Sequence, residues 1–449
     1  GAIFTPDYAF EMASSSVRFG RGATKEIGQD LIAMGLTKNI CVVTDPYMAT
    51  LPPMKAVLDS LVKANIGYEV FDRVAVEPTD ASLQIIIEYC RKKQFDGFIA
   101  VGGGSAMDTA KAANAYMCNP DSDFLDFVNA PIGKGLPITG KLKPLIAVPT
   151  TAGTGSETTG VSIFDHTATG AKTGIRDRQL RPVLGIIDPD HTRTAGPELT
   201  AFNGLDVLCH ALESYTAVPY QQRHTGAPAR PQLRPAYQGS NSISDIWSGY
   251  ALQQCNKYLL RAVEGDPYAR EQMCLASTAA GVGFGDAGVH LCHAMSYPIS
   301  SLVSTYRPTS GYSQALAAPD KTTSAPGIKL KNSMVPHGLS VVLTAPAVFK
   351  WTAVSDPERH LRAAEMLGAD ISRVKTADAG LLISDKVTEL LSHWSSFMPN
   401  GLEGVGYRTE HLDQLVKGTL PQRKVIDVSP RQPTPDDIYH MLESSMKLF

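Results

Sequence analysis

Over the first 190 or so residues, short apolar runs alternate with stretches whose apolar positions recur every three or four residues. Residues 40–44 (ICVVT) are apolar and β-branched and stop at Asp45-Pro46, which predicts a strand followed by a breaker. Residues 54–64 place Met54, Val57, Leu58, Leu61 and Val62 on one helical face. Residues 68–71 predict another strand, 82–93 another helix, and 97–101 the next strand, with further strands at 145–148 and 183–187. Strand–helix alternation of this kind predicts a parallel α/β sheet. Beyond about residue 189 the texture changes. Apolar spacing becomes mostly helical from Pro197, β-branched runs become rare, and residues 360–367 and 379–391 both have helix periodicity. The expected division is an α/β domain over 1–195 and an all-helical domain over 196–449, with no internal repeat.

Two stretches interrupt the helical part. Residues 219–241 are rich in Pro, Gln, Gly and Arg, and residues 306–331 in Pro, Ser, Thr, Ala and Lys. Both read as solvated loops, and long loops in compact domains often carry function. Arg223, Arg230 and Arg234 in the first are candidates to hold a carboxylate.

Two glycine loops suggest a phosphate-bearing ligand. VGGGSAMD (101–108) follows a strand and opens a helix, so its backbone can approach a phosphate and its free N–H groups can donate to it. It is not G-x-G-x-x-G, because Met107 holds the last position. VPTTAGTGSE (148–157) follows another strand end, where a parallel sheet places its ligands. Together the loops build one pyrophosphate crevice. Asp45, at a third strand end, can accept from an adenosine ribose hydroxyl and would repel a 2′-phosphate, favouring NAD over NADP. The same carboxylate can instead cap the next helix.

A second constellation suggests a metal. In GLDVLCHALE (204–213), Asp206 and His210 are four apart on a helix and share a face. GVHLCHAM (288–295) and VPHG (335–338) supply His290, His293 and His337. His290 and His293 are three apart, so spacing alone does not choose between them. Cys209 and Cys292 stand beside two of these histidines and point elsewhere on a helix.

Composition narrows the classes. Of 449 residues, 43% are hydrophobic and 19% charged, enough apolar material for a sizeable core. A net charge of −3 offers no footprint for nucleic acid or an anionic membrane. No apolar run approaches the roughly 20 residues of a membrane-spanning helix. The seven cysteines are scattered, with no C-x-x-C, which reads as reduced thiols in an intracellular compartment. The chain opens on Gly1 rather than Met, so its natural start, with any transit or signal peptide, is expected to have been removed.

The strings GGGSAMDTAK, PTTAGTGSE, GLDVLCHALE, HAMSYP and PHG, in that order, resemble the iron-containing alcohol dehydrogenase family over nearly the whole chain. GFGDAGVHLCHAMSYPIS, RPAYQGSNSISDIW and VPHGLSVVLTAPAVF look like its mitochondrial hydroxyacid-oxoacid transhydrogenase branch. The resemblance implies a dehydroquinate synthase-like architecture, an N-terminal dinucleotide domain and a helical domain, with a metal in the cleft between them. It implies Asp206, His210, His293 and His337 as ligands of Fe(II), or Zn(II) as a substitute, with His290 outside the set. Asp45, Gly102, Gly103, Gly104, Ser105, Asp108, Thr150, Thr151, Thr154 and Lys172 are the implied cofactor positions. For this branch the resemblance implies that 4-hydroxybutyrate is oxidised to succinate semialdehyde and 2-oxoglutarate reduced to D-2-hydroxyglutarate, through tightly bound NAD in the mitochondrial matrix. A homodimer is the oligomer considered. Tyr297 stands where many members carry a His with a proton-relay role, Asp286 where Asn is expected, and Ala152 where Ser is expected. The rival readings are a conventional dehydrogenase that releases NADH, a dehydroquinate synthase-like lyase, and a non-catalytic binder.

Overall fold

The computed structural model describes residues 5–303, 305–308 and 334–449. They fall into two compact units, one spanning Ser14–Ala195 and the other residues 5–13 with 196–308 and 334–449. The N-terminal segment thus corrects the expected division: residues 5–13 pack with the helical unit, not with the sheet. The reason is a buried ion pair. Asp7 accepts from Arg223 Nη2 (2.9 Å) and from Arg234 Nε and Nη2 (both 3.0 Å).

The first unit is built on a six-stranded sheet of β1 (Ser16–Phe19), β2 (Ile40–Val43), β3 (Tyr68–Phe71), β4 (Gly97–Gly102), β5 (Leu145–Pro149) and β8 (Leu184–Ile187). Their order is β1-β8-β5-β4-β2-β3 and every pairing is parallel. Central β2 and β4 are buried throughout, as strands covered on both faces must be. Helices α1 (Ile27–Ala33), α2 (Pro52–Lys63), α3 (Asp80–Lys93), α4 (Gly104–Met117) and the short α5 (Phe124–Phe127) accompany it. Their limits are chemical. Two prolines open α2. Thr79 caps α3 in a capping box with Ser82, while Arg91, Lys92 and Lys93 favour its C-terminal dipole end. An antiparallel hairpin, β6 (Val161–His166) and β7 (Ala171–Arg176), pairs Asp165 with Lys172 across the strands.

In the second unit the described elements are helical. The longest are α6 (Pro197–Thr216), α7 (Ser242–Val263) and α8 (Pro267–Ala287), followed by α9 (Leu291–Ser301), α10 (His337–Val342), α11 (Ala345–Thr352), α12 (Pro357–Met366) and α13 (Ala379–His393). Asn241 caps α7 and Asp266 caps α8 through side-chain acceptance of backbone N–H groups. The insertion at 219–241 is ordered by two short 3-10 turns and the Asp7 pair. Residues 309–331 of the other insertion lie outside the described residues. All seven cysteines are free, six of them buried. Among the described residues no helix is long and apolar enough to cross a membrane.

Candidate functional site

In the first unit, neighbouring β5, β4 and β2 deliver three loops to one edge of the sheet. Gly102 has φ +148°, a conformation that L side chains rarely adopt, and a Cβ there would lie 2.9 Å from that of Ala106. A Cβ on Gly104 would lie 2.8 Å from Thr154 Cγ2, and one on Gly103 would lie 3.5 Å from Thr151. The two glycine loops therefore touch, and missing side chains are what let them. No side chain caps the first turn of α4, which leaves that dipole end open to an anion. Thr150 N–H donates to the Gly102 carbonyl (2.9 Å), tying the loops at their base. These features fit a dinucleotide pyrophosphate.

Several other cofactor candidates have structural work. Asp45 Oδ1 accepts from Tyr47 and Met48 N–H (2.9 and 2.8 Å), so the capping role holds for that oxygen. Asp45 Oδ2 lies beside Gly102, and burial pushes the carboxyl pKa up. Ser105 Oγ accepts from Glu77 N–H (3.1 Å). Lys172 Nζ lies 3.3 Å from Asp165 Oδ1, both buried. Asp108 accepts from Ser156 Oγ (2.9 Å) with one oxygen and from Ile163 N–H (3.1 Å) with the other, so it braces the second loop and the start of β6.

The metal constellation assembles in the second unit. Asp206, His210 and Glu213 follow one another along a face of α6, while α9 brings His293 and α10 brings His337. Ligand atoms of Asp206, His210, His293 and His337 all lie within 4.8 Å of one another. Asp206 Oδ1 is 3.3 Å from His210 Nε2, 3.5 Å from His293 Nε2 and 3.6 Å from His337 Nε2. Donors held at about 2.1 Å from one divalent ion in a tetrahedral arrangement stand about 3.4 Å apart, so the spacing fits. Asp206 Oδ1 and His293 Nε2 are buried without a hydrogen-bond partner, a costly state that an ion would relieve. Asp206, His210 and His293 are buried, whereas the His337 side chain is 39% exposed, which marks the open side of the cluster.

Electrostatics prepare Asp206 and His210 for the same use. Burial opposes a charge on Asp206, but His210, His337 and His293 outweigh it and hold the carboxyl down at about 2. Burial pulls His210 down to about 3, keeping its imidazole neutral, the form a metal requires. Burial also disfavours a charge on His293, yet Glu213 and Asp206 on either side raise its pKa above the ordinary histidine range. His210 is held by stacking: its ring lies 4.1 Å from that of Phe284 at 21°.

Glu213 was not singled out by the sequence reading. Its Oε2 is hydrogen-bonded to His293 Nδ1, which turns His293 Nε2 toward Asp206. Its Oε1 accepts from the N–H groups of His290, Cys292 and His293, anchoring the start of α9. The signal was present, since Glu213 lies seven residues past Asp206 on the same helical face. The glycine of the VPHG turn has a packing role: a Cβ on Gly338 would lie 1.9 Å from the Phe202 carbonyl, so only glycine lets α10 press His337 against α6. The choice between His290 and His293 is settled by packing. His290 Nε2 pairs with Thr216 Oγ1 (2.9 Å), away from the cluster. Tyr297 is buried one turn beyond His293.

Of the three candidate carboxylate-binding arginines, Arg223 and Arg234 are a correction. Arg223 spends its donors on Asp7, Thr225 Oγ1 and the carbonyls of Gly226 and Gln238. Arg234 is committed to Asp7 and Glu11, and Arg230 is exposed. Buried Asp7 attracts both guanidiniums because an isolated carboxylate would be too costly there.

Comparison with known proteins points to one family. Residues 14–189 match the sequence model described as iron-containing alcohol dehydrogenase. Residues 236–307 and 332–446 match that of the Fe-containing alcohol dehydrogenase family, C-terminal, which includes His293 and His337. Asp206 and His210 fall between the matched segments. A Xenopus laevis protein named hydroxyacid-oxoacid transhydrogenase, mitochondrial, is 54% identical over 447 residues, 99% of this chain and 92% of that one. Its Bos taurus namesake is 53% identical over 447 residues, 99% and 91% of the two chains. The solved structure of sulfoacetaldehyde reductase from Bifidobacterium kashiwanohense in complex with NAD+ has a TM-score of 0.73 at 26% identity, covering 98% of this chain and 99% of that one. With both glycine loops and the Asp-His-His-His cluster in place, the chain belongs to the iron-containing alcohol dehydrogenase family.

Proposed function

We propose that this chain is a mitochondrial hydroxyacid-oxoacid transhydrogenase that couples oxidation of 4-hydroxybutyrate to reduction of 2-oxoglutarate through NAD it does not release. The observation that carries this reading is the near full-length likeness to the proteins of that name. When bound, a divalent ion, Fe(II) in this reading, supplies Lewis acidity that eases deprotonation of an alcohol and polarises a carbonyl, and NAD supplies the hydride acceptor and donor.

Asp206, His210, His293 and His337 hold the ion, with Glu213 fixing the His293 tautomer. Gly102, Gly103 and Gly104 admit the pyrophosphate to the first turn of α4, and Thr150, Thr151 and Thr154 border it from the second loop. Asp45 Oδ2 accepts from the adenosine ribose, which selects NAD. Tyr297 takes the place of the family's relay histidine, so proton exchange with solvent runs by another route than an imidazole at that position.

The test is anaerobic turnover of Fe(II)-loaded protein with 4-hydroxybutyrate and 2-oxoglutarate and no added NAD, with products followed by mass spectrometry. Equal amounts of succinate semialdehyde and 2-hydroxyglutarate, in excess over protein, are expected. Absence of product until NAD is supplied, with NADH then accumulating, would instead make the protein a conventional dehydrogenase.

A further inference from the structure

Lys111 lies on α4 one turn past Asp108 and is fully buried. Its Nζ donates to the Ser156 carbonyl (2.7 Å), Ser156 Oγ (2.7 Å) and the Val161 carbonyl (3.0 Å), with Thr159 Oγ1 at 3.5 Å. An ammonium has three protons, and the three shorter contacts use them all. Ser156 Oγ donates in turn to Asp108 Oδ1 (2.9 Å), and Ser156 N–H donates to Thr154 Oγ1 (3.2 Å). Thr154 is the side chain that rests against Gly104. A continuous line of contacts thus runs from Lys111 through Ser156 and Thr154 to the first glycine loop. An apolar side chain of similar length would fill this space at lower desolvation cost. What the ammonium adds is direction, since it fixes a carbonyl and a hydroxyl of the second loop and the first carbonyl of β6 around one point.

We propose that Lys111 is the positioning residue of the cofactor cradle, holding the second glycine loop at the spacing a dinucleotide pyrophosphate needs and making NAD retention sensitive to mild alkali. The inference rests on reading the two loops as the NAD site. Burial pulls the Lys111 pKa down to about 8, with Asp108 and Glu157 opposing the shift and Arg181 adding to it. Lys172 acts on the same network through Asp108. Deprotonation leaves an amine with two donors and a lone pair facing an oxygen, so one contact of the loop is lost as pH rises through that value.

The experiment is isothermal titration of NAD into metal-loaded, full-length protein freed of bound nucleotide, from about pH 6.5 to about pH 9.5, bracketing the shifted lysine. The wild-type Kd is expected to rise about tenfold with a midpoint near pH 8, the worth of one charge-assisted hydrogen bond. Lys111→Met is expected to bind about tenfold more weakly at pH 7 and to show no alkaline step. Ser156→Ala, which keeps the backbone acceptors, is expected to lose less affinity and to retain the step. Wild-type affinity that is flat through the alkaline range, or a Lys111→Met protein that binds like wild type, overturns the proposal. If Lys111→Met fails to fold, the wild-type profile and Ser156→Ala decide. A wild-type protein that takes up no NAD at any pH overturns the cofactor reading of the loops itself, and this proposal with it.

Discussion

Replacing His293 with alanine is expected to lower turnover by roughly 1000-fold or more, the several kcal/mol that a catalytic metal supplies, and to strip the metal from the protein. The substitution removes the Nε2 that stands 3.5 Å from Asp206 Oδ1. It also leaves the fully buried Glu213 without its imidazole partner. Metal and nucleotide content per chain, measured beside turnover, separate a lost site from a lost fold. The glycine loops belong to the other compact unit, so bound NAD is expected to persist. Wild-type metal stoichiometry with turnover within tenfold of normal would show that some other group completes the centre.

The second large effect concerns stability. Asp7→Asn is expected to destabilise the helical unit by about 3–5 kcal/mol, because it leaves two buried guanidiniums facing a neutral amide. Burial alone would raise the Asp7 pKa, but donation from Arg234, Ala9 N–H and Arg223 holds it below the ordinary value of 3.8. A carboxylate with a depressed folded-state pKa contributes stability that is fully present above its unfolded value and is lost as pH falls through its folded value. The gap between wild type and Asp7→Asn in urea denaturation should therefore be full at neutral pH and close only in acid below 3.8. Equal denaturation midpoints at pH 7 would contradict the account.

Local pattern made much of this molecule legible. The buried runs at 40–43, 97–101 and 145–148 are β-branched or apolar because both faces of a parallel strand are covered, and they marked the central strands directly. Strand β1 was not legible: Ser16–Phe19 is a half-exposed edge strand with no apolar run, and its pairing partner lies at residues 184–187. The β6–β7 hairpin was missed as well. The metal ligands were present as residue types at helical spacing, but separating His290 from His293 required either family likeness or the packing that points His290 at Thr216. The assignment of Arg223 and Arg234 to a substrate carboxylate failed for a related reason. Arg223 and Arg234 sit in a polar, proline-rich stretch that reads as solvated, and the carboxylate that buries them is more than 200 residues away in sequence. Lys111 was equally silent, since its acceptors follow 45 to 50 residues later.

The central claim is that hydride passes between the two acids through one NAD molecule that stays in place. The direct measurement supplies 4-hydroxybutyrate deuterated at C4 with unlabelled 2-oxoglutarate, in the presence of a pool of unlabelled free NADH. Mass spectrometry then locates the label in 2-hydroxyglutarate. The account predicts deuterium at C2 of nearly every product molecule, undiluted by the free pool. Label that falls toward zero as the NADH pool grows would mean the cofactor is exchanged each cycle and would contradict it.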